Sequence, residues 1–459
     1  MGKLLELLKH PSDIFMIVHL LKFRVSPFPL DLSSSSEERK KCYEFLDLTS
    51  RSFSAVIKEL HPELRDPVML FYLVLRALDT VEDDMSIDPK EKVQLLREFH
   101  EKLKLKDWTY HGCASTERDR VVLEEFHHVL AVYHTIKPEY QDIIMKNTYK
   151  MGHGMASYIL DNNFNLNGIN TIKEYDLYCH YVAGLVGEGL TDLIDMAGFA
   201  KFEKRIEKYK LSNSMGLFLQ KTNITRDYQK DMKEGRSFYP KEIWSKYTDS
   251  LANFVQNPQD RDAGIACVNN MVLNALDHVI DVLTYLSLIR EPTSFNFCAI
   301  PQMMAIATLA EVYNNGDVLK EVVKIRKGVT CRLILESRTL PGVVRMFRKY
   351  LRVINHKSDV RDPNYLKIGI KLGQIEQFCE SMYPTKALPA GASRNIKDIN
   401  RYIEERGDFD AVGMKLYAQE TMKLRACFFV AAAIVFLVVY GVLSCNWACK
   451  IWIYMNLSL

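Results

Sequence analysis

The sequence predicts an all-α protein, a single large helical bundle followed by a C-terminal transmembrane helix. Three observations predict it. Apolar residues recur at helical spacing through most of the chain, strand signals are sparse, and one long uncharged apolar run lies near the C-terminus. The helical spacing shows in Cys42–Leu46, Val68–Leu78, Tyr178–Leu193, Met215–Leu219, Val268–Leu288 and Ala305–Val312. The serine run Ser33–Ser36 followed by Glu37 and Glu38 reads as a helix N-cap. Pro384, Pro389 and Gly391 mark the end of the body. The expected plan is an N-terminal extension (1–29), a helical domain (30–383), a charged helical linker (384–423), a membrane anchor (424–450) and a short tail (451–459).

Bulk properties narrow the function. The chain has 459 residues, 48% hydrophobic and 25% charged, enough for a sizeable core. A net charge of +3 gives no nucleic-acid footprint. The ten cysteines show no CxxC pair and no zinc-ligand spacing, so they read as reduced thiols. Residues 426–449 carry no charge, and about 20 apolar residues span a bilayer. Lys423 and Arg425 flank the run on one side, with Tyr440, Trp447 and Trp452 towards the other, as interface anchors do. Only ten residues follow, so the expectation is a tail anchor with the body in the cytosol.

Two acidic patches carry the chemistry. The buried-looking helix Leu70–Leu78 runs into Asp79-Thr80-Val81-Glu82-Asp83-Asp84, four carboxylates in six residues. Asp79 and Asp83 are four apart and share one helix face, where like charges oppose folding. The second patch repeats the spacing with Asp227 and Asp231, again after an apolar helix and again with arginines nearby, Arg226 and Arg236. Acids at this spacing are usually a solvated face. Two patches that each continue a buried helix are a different case, because buried carboxylates need a cation or donors to stay ionised. Mg²⁺ fits, since it takes one or two carboxylates and completes its octahedron with water and phosphate oxygens.

Longer motifs extend these patches. They are Ser50–Phe53, Tyr72–Asp84, Tyr178–Gly187, Leu219–Ile224 with Arg226–Tyr228, Phe295–Gln302, Tyr313–Asn315 and Lys324–Gly328. In this order they resemble the squalene synthases of the squalene/phytoene synthase family, over roughly residues 30–340. The resemblance implies an isoprenoid-synthase-type bundle with a central cavity. It implies a Mg²⁺-dependent, NADPH-using farnesyltransferase that joins two farnesyl diphosphates into presqualene diphosphate and reduces this to squalene, the first committed step of sterol biosynthesis. It places Asp79, Asp83, Asp227 and Asp231 on the metal, and Arg51, Ser52, Phe53, Tyr72, Arg76, Asn223, Arg226 and Arg236 on the substrate. Tyr178 falls on a tyrosine of the first half-reaction and Phe297 on an aromatic of the second. Lys324 and Arg326 fall on positions associated with NADPH; no GxGxxG unit offers a Rossmann alternative.

Two departures from the family pattern stand out: Lys230, where an acid is common, and Arg118, where a lysine is common. A monomer is expected, and the tail anchor together with the resemblance places it on the endoplasmic reticulum membrane. Rival readings are a phytoene-type synthase and a catalytically silent tail-anchored scaffold. The Lys324–Gly328 motif with the anchor argues against the first, and the intact aspartate pairs against the second.

Overall fold

The computed structural model describes residues 10–24, 26–50, 53–160, 168–385 and 397–456, without the side chains of 258, 397–400 and 438–456. Among the described residues the regular structure is helical, and the extended pairing is one isolated bridge between Ala200 and Ile289. Eight helices position the site or bear on it: α1 (Pro11–Val18), α2 (Pro62–Asp83), α3 (Pro89–Lys102), α4 (Ile172–Cys179), α5 (Arg205–Lys233), α6 (Pro292–Val312), α7 (Lys327–Glu336) and α8 (Gly407–Asn456).

Local chemistry sets their ends. Pro62 opens α2 at a position where its missing N–H costs no hydrogen bond, and the His61 ring accepts from the Glu63 amide. Ser36 accepts from the Arg39 amide at 3.2 Å, so the serine run does cap the helix Glu37–Thr49. The Thr171 and Glu174 side chains close a reciprocal capping box on α4. The periodic stretch Tyr178–Leu193 is not one regular helix. It passes through a π-helical turn, His180–Gly184, between α4 and the helix Leu185–Met196.

α5 is the central post. It packs against that π turn, Leu185–Met196, Arg261–Leu276, Val279–Leu288 and α6. Small residues make the approach possible: a Cβ on Gly187 would collide with the Ser212 carbonyl, and one on Gly216 with the Ala183 carbonyl. α2 has Leu70, Leu73, Val74, Ala77 and Leu78 fully buried, which fixes the roll of the helix and leaves Asp79 and Asp83 on its other face. The apolar helices Arg261–Leu288 and Pro292–Val312 are long enough to cross a membrane by composition, yet 61% and 83% of their apolar windows are buried, as core helices are.

The charged stretch after residue 397 is helical and lies against the body. Arg406 is almost wholly buried between the Phe295 and Phe409 rings, its guanidinium 4.4 Å from each centroid. Asp410 accepts from the Leu340 amide at 3.1 Å. From Gly407 the helix continues without a break into the apolar run, where Phe429 is 81% and Phe436 68% exposed. The eight described cysteines are all free thiols.

Candidate active site

The C-terminal turn of α2 brings Asp79, Glu82 and Asp83 to one wall. Protein surrounds Asp79, yet 36% of its side chain meets solvent, as on the wall of a cleft. Burial, reinforced by Asp83 and only partly offset by Arg76, pushes the Asp79 carboxyl up to about 7. Burial also pushes Glu82 to about 7, with Asp83 and Asp79 adding to the rise. Arg76 spans the wall: its guanidinium lies 4.0 Å from Asp79 and 3.8 Å from Asp119, and its Nε donates to the Tyr72 hydroxyl at 3.3 Å. Asp84, the fourth carboxylate of the run, turns away. It accepts from the amides of Ser86 at 2.8 Å and Ala114 at 2.7 Å, and so pins the chain leaving the helix.

The second wall is the C-terminal end of α5. Asp227 takes two parallel hydrogen bonds from Arg226, each 2.7 Å. Burial raises the Asp231 carboxyl to about 6, Asp227 adding and Arg236 opposing. Asn223 is exposed one turn earlier. Arg236 joins the walls. Its amide donates to the Asp231 carbonyl at 2.9 Å, and its guanidinium reaches Asp83 at 3.4 Å. The two acidic patches, whose aspartates lie 148 residues apart in sequence, therefore face each other across one arginine.

Aromatic side chains continue the surface. The Arg236 guanidinium lies 5.8 Å from the Phe238 ring, which stacks on Tyr178 at 5.2 Å. Tyr158 meets Tyr178 edge-on at 5.3 Å. Burial, then the nearby Glu82, holds the Tyr178 phenol far above its ordinary range, so it stays protonated and keeps an O–H to donate. Phe297, 8% exposed on α6, lies 6.4 Å from Phe53 at an inclined angle. Phe295, two residues earlier on α6, packs elsewhere. It is fully buried and clamped against Arg406 and Phe409.

Some positions are not brought to these walls. Arg51 and Ser52 lie outside the described residues. Arg326 is on the loop entering α7, paired with Asp13 at 3.1 Å, and Lys324 is exposed beside it. Lys230 is an exposed lysine 3.8 Å from Glu234, and Arg118 donates to the Leu48 carbonyl at 3.0 Å. Sequence reasoning missed Lys92, buried on α3, whose ammonium donates to the Glu82 carbonyl at 2.8 Å. It also missed Asp119, Tyr158 and Phe238. A lysine at an amphipathic helix surface carries no signal of this kind; only the placement of α3 against α2 reveals it.

A divalent cation suits these walls. Among the described residues no three His, Cys, Asp or Glu side chains form a closed metal cage. Mg²⁺ asks for less, one or two carboxylates with the rest supplied by water and phosphate. Burial raises the carboxyls of the first wall, a cation beside them would favour their ionised form, and the neighbouring arginines can receive phosphate oxygens in a fork.

The family described as Squalene/phytoene synthase matches residues 46–329. The chain belongs to that family. It is 55% identical over 447 residues to a squalene synthase of Candida albicans, covering 96% of this chain and all of that one. It is likewise 55% identical to a squalene synthase of Saccharomyces cerevisiae, over 89% of this chain and 92% of the relative. The structure of TcSQS with the ligand E5700 superposes with a TM-score of 0.71 at 41% identity, over 75% of this chain and 99% of that one. The family's span runs from the helix before Phe53 to the start of α7, and so takes in both aspartate walls.

Proposed function

We propose that this chain is a squalene synthase, condensing two farnesyl diphosphates to presqualene diphosphate and reducing that product to squalene with NADPH. The observation that carries the reading is the pair of facing aspartate walls joined by Arg236, on a chain whose relatives at 55% identity are named squalene synthases. The phytoene-type alternative has no such support.

Asp79 and Asp83 on one wall and Asp227 and Asp231 on the other would hold Mg²⁺, which supplies Lewis-acid charge on the departing diphosphate. Arg76, Arg226 and Arg236 take the remaining phosphate oxygens and orient the leaving group. Tyr178, kept protonated, donates to the leaving diphosphate rather than accepting a proton. Phe53 and Phe297 present ring faces to the carbocations and exclude water. NADPH would supply the hydride of the second half. Lys324 and Arg326, both reaching solvent on one loop, are the side chains that would hold its phosphates. The exposed apolar surface of α8 over residues 427–437 would enter a bilayer, with Lys423 and Arg425 at the cytosolic boundary of the endoplasmic reticulum membrane.

The test is the full chain in detergent micelles with farnesyl diphosphate and Mg²⁺, with and without NADPH, its products read by mass spectrometry. Squalene only with NADPH, and presqualene diphosphate without it, is the expected result. Turnover of a C20 diphosphate in its place would overturn the reading.

A further inference from the structure

The N-terminal helix makes a contact that the reaction does not explain. α1 packs along α7, and the crossing is close enough that a Cβ on Gly328 would collide with Asp13. Asp13 is 8% exposed, and its Oδ2 accepts from the Arg326 Nε at 3.1 Å. The segment is tethered beyond this point. The buried His19 ring stacks on Tyr417 of α8 at 5.4 Å and meets Glu420 at 3.2 Å; Glu420 also accepts from Arg338 at 2.8 Å. Phe15 rests on Phe428 at 5.6 Å, and Arg24 pairs with Glu59. α1 is thus fixed with its one carboxylate over the Lys324–Gly328 loop.

That loop belongs to a basic cluster. Arg332 and Arg326 both act on Lys349, whose ammonium is pushed down by burial and by these two guanidiniums. Glu336, an acid of the same cluster, is paired with Arg345. Asp13 is the anion that faces Arg326, where a phosphate group would sit.

We propose that Asp13 competes with a cofactor phosphate for the Arg326 guanidinium, so that the N-terminal helix sets the affinity for NADPH; this rests on the reading of Lys324 and Arg326 as its phosphate-binding pair. The Asp13 carboxylate holds the Nε edge of the Arg326 guanidinium, and its negative charge opposes a phosphate approaching the same group. A phosphate therefore binds more tightly where the Asp13 contact has opened, and the apparent affinity is lowered by the molecules in which it is closed.

The experiment uses the full chain in detergent micelles. Asp13→Asn keeps the shape against Gly328 and removes the charge. Calorimetric titration with NADPH is expected to give a Kd about fivefold lower than wild type, the scale of one partly exposed ion pair. Presqualene diphosphate formation without NADPH is expected to stay unchanged. NADPH added to wild type is expected to speed amide hydrogen exchange across residues 11–18. Asp13→Ser, which leaves more room at Gly328, must shift Kd in the same direction. Arg326→Ala, run in parallel, separates the two ways of failing. If it weakens NADPH binding while both Asp13 variants leave Kd unchanged or raised, the competition is overturned and the cofactor reading stands. If Arg326→Ala binds NADPH as wild type does, the cofactor reading falls and the competition with it.

Discussion

The two aspartate walls share a spacing but not an electrostatic state. On α5, Asp227 already holds a forked guanidinium from Arg226, and burial raises Asp231 to about 6. On α2, Asp79 and Glu82 both stand near 7, with Arg76 a full 4.0 Å from Asp79. One wall comes with its own counter-charge and the other waits for it. The i,i+4 acid pair, the same signal twice in the sequence, thus marks two carboxylate walls that differ in how much counter-charge the protein itself supplies.

The largest test of this contrast is a pair of variants. Asp79→Asn and Asp227→Asn are each expected to lower turnover by about 10³-fold, the scale of losing a charge-stabilising group in the transition state. Their effects on the metal-free protein should differ in sign. Asp79→Asn relieves an enclosed like-charge pair and should raise Tm at pH 8; Asp227→Asn leaves Arg226 without its fork and should lower it. Equal Tm changes would erase the distinction between the walls. Arg236→Ala, which unlinks them, should cost about 10²-fold in kcat/KM while leaving the circular dichroism spectrum unchanged. A loss below about threefold would mean that the Arg236–Asp83 contact is incidental.

The pH dependence follows from the same groups. A carboxyl whose folded pKa is raised loses its proton later in the folded state than in the unfolded one, whose value is about 4. Between about pH 4 and pH 7 the unfolded chain therefore binds fewer protons, and these groups make the metal-free protein less stable as pH rises. Above about 7 that loss is complete. A divalent cation needs the ionised carboxylates, so the Tm increase on adding saturating Mg²⁺ with inorganic diphosphate should be larger at about pH 8 than at about pH 5.5. An increase independent of pH would place the cation elsewhere.

Much of this centre was legible in the sequence because it rests on short-range periodicity. Asp79 with Asp83, Asp227 with Asp231, and the apolar helices before them follow from the 3.6-residue repeat. The Ser36 cap follows from side-chain chemistry three residues long. What was not legible depends on which helix lies beside which. Phe295 and Phe297 are two apart on α6 and look alike in sequence, yet one faces Phe53 and the other is closed off by Arg406. Asp84 belongs to the same acidic run as Asp79 but spends its oxygens on backbone amides. Tyr178–Leu193 has continuous helical periodicity, and only packing against α5 reveals the π turn in its path.

Lys92 gives the smallest test, and it concerns why the α2 wall holds its shape while short of charge. The last carbonyls of a helix have no partner within it. At the end of α2 the Glu82 carbonyl finds one in the Lys92 ammonium, which arrives from α3 at 2.8 Å, and the same positive charge opposes the rise of Glu82. Lys92→Met keeps the buried stem and removes both effects. It should destabilise the metal-free protein by about 1–3 kcal/mol, the usual cost of leaving a buried acceptor unpaired, measured by chemical denaturation. Lys92→Arg should restore most of that loss, because the guanidinium keeps a donor and a charge near the carbonyl. The α5 wall offers a control: Lys230 is exposed and only 3.8 Å from Glu234, so Lys230→Met should change stability by less than about 0.5 kcal/mol. If Lys92→Met proved as mild as Lys230→Met, α2 would not need its cap, and the rigidity of the first wall would have to come from the Asp84 turn alone.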